Sequence, residues 1–418
     1  MSERGSTNIR PICKESRNMR LRLLTYVWLV GCAVGTLHPA QSQQFRYDPD
    51  LAHTLIDKAN EASSRGDNDG AIRLAVQATQ ADPGQSSYFG STAWFSFKGG
   101  YYKEGVQFGE RALFLNPDDW GAHFIIAANA YRSQDIEKAR FHYKAALANP
   151  NIDDIHIREA HEGLRQLSDR DFEISWSIAN KGPEIIVPFV YDTPYQKTLS
   201  YSVQGGSYAI KQMGGQKVVA ITPLSDAVTY TVKVRVLCRV SKKGDPIDEK
   251  ISGNPQEYLT PSPRINSNDR VVTDVMSQIR GDDPTARMYG ISWWLKHNVK
   301  YQLNYEEPSA SETIRRGFAE CREFSETATA MARNAHIPCR VMWVLIVPDD
   351  PKEHTLKGHF VVEFFTPAMG WVPLEPQEPW SVGMLTSGYI RICHADPACV
   401  WGPYMGLSAT PNFTETRK

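Results

Sequence analysis

Three sets of small residues recur at one interval near the start of the chain, and this recurrence restricts the fold more than any other feature. Ala71, Ala75 and Ala78 are matched 34 residues on by Gly105, Gly109 and Ala112, and 34 residues further by Ala139, Tyr143 and Ala146. Each set is followed by a breaker: Asp82-Pro83, Asn116-Pro117 and Asn149-Pro150. Small side chains at these spacings let two antiparallel helices approach closely, and the proline ends the second helix of each pair. The pattern predicts stacked helical hairpins over about residues 51–150, with a last amphipathic helix, Ile152 to Leu167, capping the stack.

In period and in its small-residue positions this segment resembles the tetratricopeptide repeat. The resemblance implies a concave surface of the kind that binds a peptide or a partner protein. Three repeats serve equally well as a docking platform for the chain's own next domain, and both roles stand as expectations.

At 418 residues the chain is too long for one ordinary domain. Near Ser168 the composition turns to Val, Ile, Thr and Tyr. Alternation appears in Phe172-Glu173-Ile174-Ser175-Trp176 and from Tyr230 to Val236. Turn signals at Gly205-Gly206, Gly214-Gly215 and Lys243-Gly244-Asp245-Pro246 separate the runs, so an antiparallel β-sandwich is expected over 169–262. A Pro-rich joint, Thr260-Pro261-Ser262-Pro263, leads to helical segments at Val271–Ile279 and Thr285–His297. In the second, Met288, Ile291, Trp294 and Leu295 fall at core spacing, and the Trp293-Trp294 pair reads as packing. The expected organisation is therefore multidomain: 1–42 a signal peptide, 43–168 an all-α helical repeat, 169–262 an all-β sandwich, and 263–418 an α+β domain that carries the chemistry.

Arg17, Arg20 and Arg22 precede the apolar stretch Leu23 to Leu37, and Ala40-Gln41-Ser42 offers small residues for cleavage. The apolar run is short against the ~20 residues of a membrane span. Export to the periplasm or cell envelope is expected. A single anchor helix, or a lipoprotein with Cys32 modified in Leu29-Val30-Gly31-Cys32, are the alternatives. A formal net charge of −1 with no basic stripe argues against nucleic acid as a partner. Five cysteines remain after cleavage, namely Cys238, Cys321, Cys339, Cys393 and Cys399. Cys393 with Cys399 is the best candidate disulfide, and the odd total leaves a thiol over.

The candidate chemistry lies between Tyr301 and Gln377. Cys321 opens a predicted helix that reaches about Ala335, with Phe324, Ala328, Met331, Ala332 and Ala335 as its apolar face. In the first turn, unpaired backbone N–H groups and the positive dipole end favour a thiolate over a thiol, and the same groups suit an oxyanion. Gly358 to Phe364 alternates as a strand with His359, Val361 and Glu363 on one face. Gly370-Trp371-Val372-Pro373-Leu374-Glu375 reads as a turn and a short strand, and a hairpin of the two strands would bring Glu375 to the His359 ring. Each residue alone is unremarkable, but a nucleophile, an imidazole and a carboxylate, each on a suitable element, together make an acyl-transfer set.

At these residues the chain resembles the transglutaminase-like core, a papain-like cysteine fold, over about residues 265–400. The matching segments are Cys321, Ile337-Pro338-Cys339-Arg340-Val341, His359 and Gly370 to Glu375, with Val299-Lys300-Tyr301 upstream. The resemblance implies Cys321 as nucleophile, His359 as general base and acid, and Glu375 as the orienting carboxylate. It implies a protein or peptide substrate, with hydrolysis of amide or isopeptide bonds ahead of crosslinking. Three departures bear on substrate and rate: Glu375 stands where the family usually has Asp, Ala319-Glu320 where Gly is common, and Phe360-Val361 would narrow the room around the imidazole. Tyr301 is a candidate oxyanion donor and otherwise a core tyrosine. There is no phosphate-binding glycine loop, and His354 and His359 lack metal-ligand spacing, so no cofactor or metal is expected. The competing reading is a non-catalytic envelope scaffold or protein-binding module that uses the helical repeats.

Overall fold

The computed structural model describes residues 47–180, 182–190, 192–213, 216–245, 254–303, 306–348, 355–394 and 411–416. The signal segment, Cys32, His354 and Cys399 lie outside them, and with Cys399 so does the Cys393–Cys399 pair.

Six helices form three hairpins: α1 (Pro49–Ser64) with α2 (Asn68–Ala81), α3 (Ser86–Gly99) with α4 (Tyr102–Leu115), and α5 (Trp120–Arg132) with α6 (Ile136–Leu147). Most begin on an aspartate whose carboxylate accepts an N–H of the first turn: Asp48 for α1, Asp67 for α2, Asp119 for α5 and Asp135 for α6. The predicted small residues are the contact points. Ala71, Ala75, Ala78, Ala112, Ala139 and Ala146 are wholly buried. A Cβ on Gly109 would stand 2.4 Å from Ile126 Cγ1, and one on Gly105 2.2 Å from Asn129 Oδ1. The seventh helix, α7 (Asp154–Gln166), closes the stack, and Gly163 on it leaves space for the Tyr143 ring.

Two antiparallel sheets follow. β1 (Arg170–Ala179), β6 (Ala227–Val236) and β3 (Gln196–Gln204) form one with β13 (Asn412–Glu415). β2 (Ile185–Pro188), β5 (Gln216–Pro223) and β4 (Gly206–Met213) form the other. β13 corrects the contiguous order expected from the sequence, because residues 412–415 return to the sandwich and pair with β1 from Phe172↔Glu415 to Ser175↔Asn412. Four residues lack the length to announce a strand, and only the exposed edge of β1 gives them a partner.

The last region is a four-stranded antiparallel sheet with helices against it. β11 (Gly370–Leu374), β10 (Lys357–Thr366), β9 (Cys339–Ile346) and β12 (Tyr389–His394) lie in that order. α11 (Cys321–Asn334) packs on the sheet and is covered in turn by α8 (Arg270–Met276), α9 (Pro284–Asn298) and α10 (Ala310–Arg316). Its core joins Phe324, Ala328 and Met331 of α11 to Val362, Phe364, Val372 and Leu374 of the sheet. Leu345, Ile390 and Ile392 instead join the sandwich core around Phe172, Trp176 and Val232. The helical repeats also dock on this region: Val106, Ile126, Tyr131 and Leu167 share a buried cluster with Met384, edged by Trp380 and Val240. Of the two roles expected for the repeats, a platform for the chain's own core is present.

Candidate active site

Cys321 is the first residue of α11, and the approach to it is fixed from both sides. β7 (Lys300–Tyr301) and β8 (Phe318–Ala319) pair in parallel, which anchors the chain at buried Ala319. Glu320 then has extended backbone, and its N–H donates to Glu323 Oε2 at 2.9 Å, a capping bond that starts the helix where the sequence places it. From Glu323 to Arg333 the helix is buried. Half-buried Cys321 therefore stands at the opening of an otherwise enclosed element.

His359 and Glu375 meet through the predicted hairpin. β10 and β11 are antiparallel with Val362 opposite Leu374, so Glu375, one residue beyond the strand, falls diagonally across from His359. His359 Nε2 and Glu375 Oε2 are 2.6 Å apart. The extra methylene of glutamate, relative to the family's usual aspartate, is accommodated at that distance. The Cys321 side chain lies close enough to the ring to act on its proton affinity. Burial works against a charge on this ring, but the hydrogen bonds and negative charges of Cys321 and Glu375 outweigh it and raise His359 to about 10. The structure thus joins His359 to Glu375 by a hydrogen bond, with Cys321 beside the ring.

Two other cysteines lie away from this site. Burial pushes the Cys339 thiol up to about 11, and Cys238 likewise to about 12. Cys339 Sγ lies 3.6 Å from Thr329 Oγ1 inside the core. Glu363, which shares the His359 strand face, does not join this site. It binds Arg340 at 2.7 Å and Arg391 at 3.3 Å in a buried cluster, and the Arg340 guanidinium stacks 3.8 Å over Trp371.

The expected crowding of the imidazole by Phe360 is not found. By strand alternation its ring leaves on the opposite face, where it packs with Ile265, Ala310, Ala330 and Val341. Val361 is taken up by Met342, Val344 and Leu385. Tyr301 is not a core tyrosine. It is 55% exposed and stacks 6.5 Å over Phe324, and its hydroxyl is raised by partial burial and then by the charges of Cys321, Glu320 and Glu375. Beside it, burial and the Glu323 charge raise the Glu320 carboxyl.

Sequence reasoning missed what holds Glu375. The Glu375 N–H donates to Ser381 Oγ at 2.9 Å, and Ser381 Oγ donates back to the Glu375 carbonyl at 3.3 Å. The Gln377 N–H reaches Glu375 Oε1 at 3.4 Å, and Ser292 Oγ on α9 donates to the Pro376 carbonyl at 2.7 Å. The segment from Pro376 to Val382 has no periodicity, so nothing in the sequence marks Ser381 as its anchor.

Residues 273–376 match the family model described as the transglutaminase-like superfamily. No curated protein sequence matches the chain. Among solved structures, a candidate cysteine protease from Cytophaga hutchinsonii is similar over 59% of this chain and 97% of its own, at 14% identity and TM-score 0.39. The first TPR domain of human RPAP3 is similar over 28% of this chain and 91% of its own, at 22% identity and TM-score 0.27. The Sgt2 TPR domain of Aspergillus fumigatus is similar over 30% of this chain and 82% of its own, at 19% identity and TM-score 0.27. The chain carries a transglutaminase-like domain at residues 273–376, behind helical repeats that resemble the tetratricopeptide kind.

Proposed function

We propose that this chain is an exported cysteine enzyme that takes an acyl group from an amide or isopeptide bond of a protein or peptide and passes it to water or to an amine. The observation that carries the reading is the hydrogen bond between His359 and buried Glu375, with the helix-start Cys321 beside the same ring. The sulfur attacks the acyl carbon, and the carbonyl electron pair moves onto oxygen, where the first-turn N–H groups of α11 stabilise it. As that intermediate collapses the C–N bond breaks, and the His359 proton goes to the departing nitrogen. The thioester is then attacked by water or a second amine, whose proton His359 takes, and the thiolate leaves. Glu375 holds the ring in the orientation that both transfers need.

Export rests on the segment Arg17 to Ser42. Exposed aromatic side chains on the repeats, Trp94, Phe114 and Phe141, support a protein partner there.

Alkylation of the purified full chain near neutral pH, read by mass spectrometry at each cysteine, tests the site. Cys321 should react roughly tenfold faster or more than a model thiol. His359→Ala should remove that advantage. A Cys321 no faster than the model thiol, and indifferent to His359→Ala, would rule the reading out. Incubation with envelope peptides should then leave an acyl adduct on Cys321.

A further inference from the structure

The turn between α5 and α6 grips the loop that follows Glu375. The side-chain amide of Gln134 carries two hydrogens, and its Nε2 lies 2.7 Å from the Trp380 carbonyl and 2.7 Å from the Val382 carbonyl. It thus spans the two residues that flank Ser381, whose hydroxyl is bonded to both main-chain groups of Glu375. Neighbours on the repeats reinforce the grip. The Arg132 guanidinium lies 4.3 Å over the Trp380 ring, and Tyr131 meets that ring edge-on at 5.4 Å. The Trp380 indole N–H donates to Glu378, which also holds Lys296 of α9.

The backbone of Gln134 singles it out. Its φ is +66°, a left-handed conformation that favours glycine or asparagine. A local strain of this kind persists where its surroundings use it, and here the side chain that glycine would lack makes both contacts to the loop.

We infer that Gln134 is a positioning residue for the acyl-transfer site: by clamping the 380–382 turn it fixes the loop that bears Glu375, so the helical repeats set the alignment of the Cys321, His359 and Glu375 set. The inference rests on the function proposed above. It makes the repeats a working part of the site, because a partner that shifts the α5–α6 turn would shift Glu375 against His359.

The His359 ring reports that alignment. Cys321, Glu320, Glu375 and Tyr389 face it from the neighbouring elements, and of these only Glu375 is held by the clamped loop. The experiment is an NMR titration of the full chain labelled with 13C-histidine, the His359 signal being assigned by its loss in His359→Gln. The wild-type midpoint should lie near 10. Glu375→Gln should lower it by about 1–3 units, the usual effect of losing a close opposite charge. Gln134→Gly should lower it in the same direction by about half a unit or more, while the melting temperature stays close to wild type, because glycine adopts this φ freely. Gln134→Glu sets a carboxylate against two carbonyls and should lower the midpoint further. If Glu375→Gln lowers the midpoint while both Gln134 variants keep the wild-type value, the clamp is wrong and the triad stands. If Glu375→Gln leaves the midpoint in place, the triad fails and the clamp falls with it.

Discussion

Single residues show how environment separates groups of one chemical kind. Cys238 and Cys339 are held as thiols by burial, while Cys321 faces a ring that is itself raised. That ring has a consequence for stability. His359 moves from an ordinary 6.5 to about 10 on folding, so the folded chain binds this proton more tightly than the unfolded one. Its contribution is present in full below about 6.5 and is lost as pH rises through about 10. The urea midpoint of the wild type should therefore fall between pH 7 and pH 10, and His359→Gln should flatten that fall. An equal fall in the variant would assign the alkaline loss to another group.

Among the elements, the helical hairpins follow most directly from sequence, because their contacts are made by missing atoms. Gly109 faces Ile126 at a distance no side chain tolerates. Gly109→Leu should destabilise the chain by about 1–3 kcal/mol, the usual cost of overpacking, although leucine is the better helix former. Chemical denaturation checks this, and a variant as stable as wild type would show that the hairpin separates at little cost. The strands were legible by alternation. What alternation did not say is that Glu363 would be wholly buried between Arg340 and Arg391. Such a cluster stays intact only while all its members remain paired.

Across the whole molecule, contacts distant in sequence join the three regions. Glu415 on β13 forms a two-bond pair with Arg170 at 2.9 and 2.8 Å and lies 3.8 Å from Arg165 at the end of α7. Arg170 is nearly fully buried and stacks on Phe172. Glu415→Ala should leave that guanidinium without its carboxylate and cost about 1–3 kcal/mol. The loss should appear as a lower melting temperature of the entire chain, with Glu415→Gln intermediate. An unchanged melt would mean that β13 adds nothing to the sandwich. The docked repeats belong to this scale too, since Arg165, Gln166 and Tyr131 touch the core or its loops directly.

The sequence by itself determined whatever depends on near neighbours. The 34-residue recurrence of small residues, the alternation of the strands, the helix start at Cys321 and the turn before Trp371 are local patterns, and local backbone geometry turns each into an element. It also determined that His359 and Glu375 would meet, because a hairpin with a short turn leaves little choice of register between them, whereas Cys321 comes to them only as its helix packs on the sheet. Only the tertiary structure decided what holds that meeting in place. Ser381, Gln134 and the returning strand β13 act across large sequence separations through single hydrogen bonds or an open sheet edge. Such contacts leave no periodic trace in a chain, since they depend on where whole elements come to rest against one another.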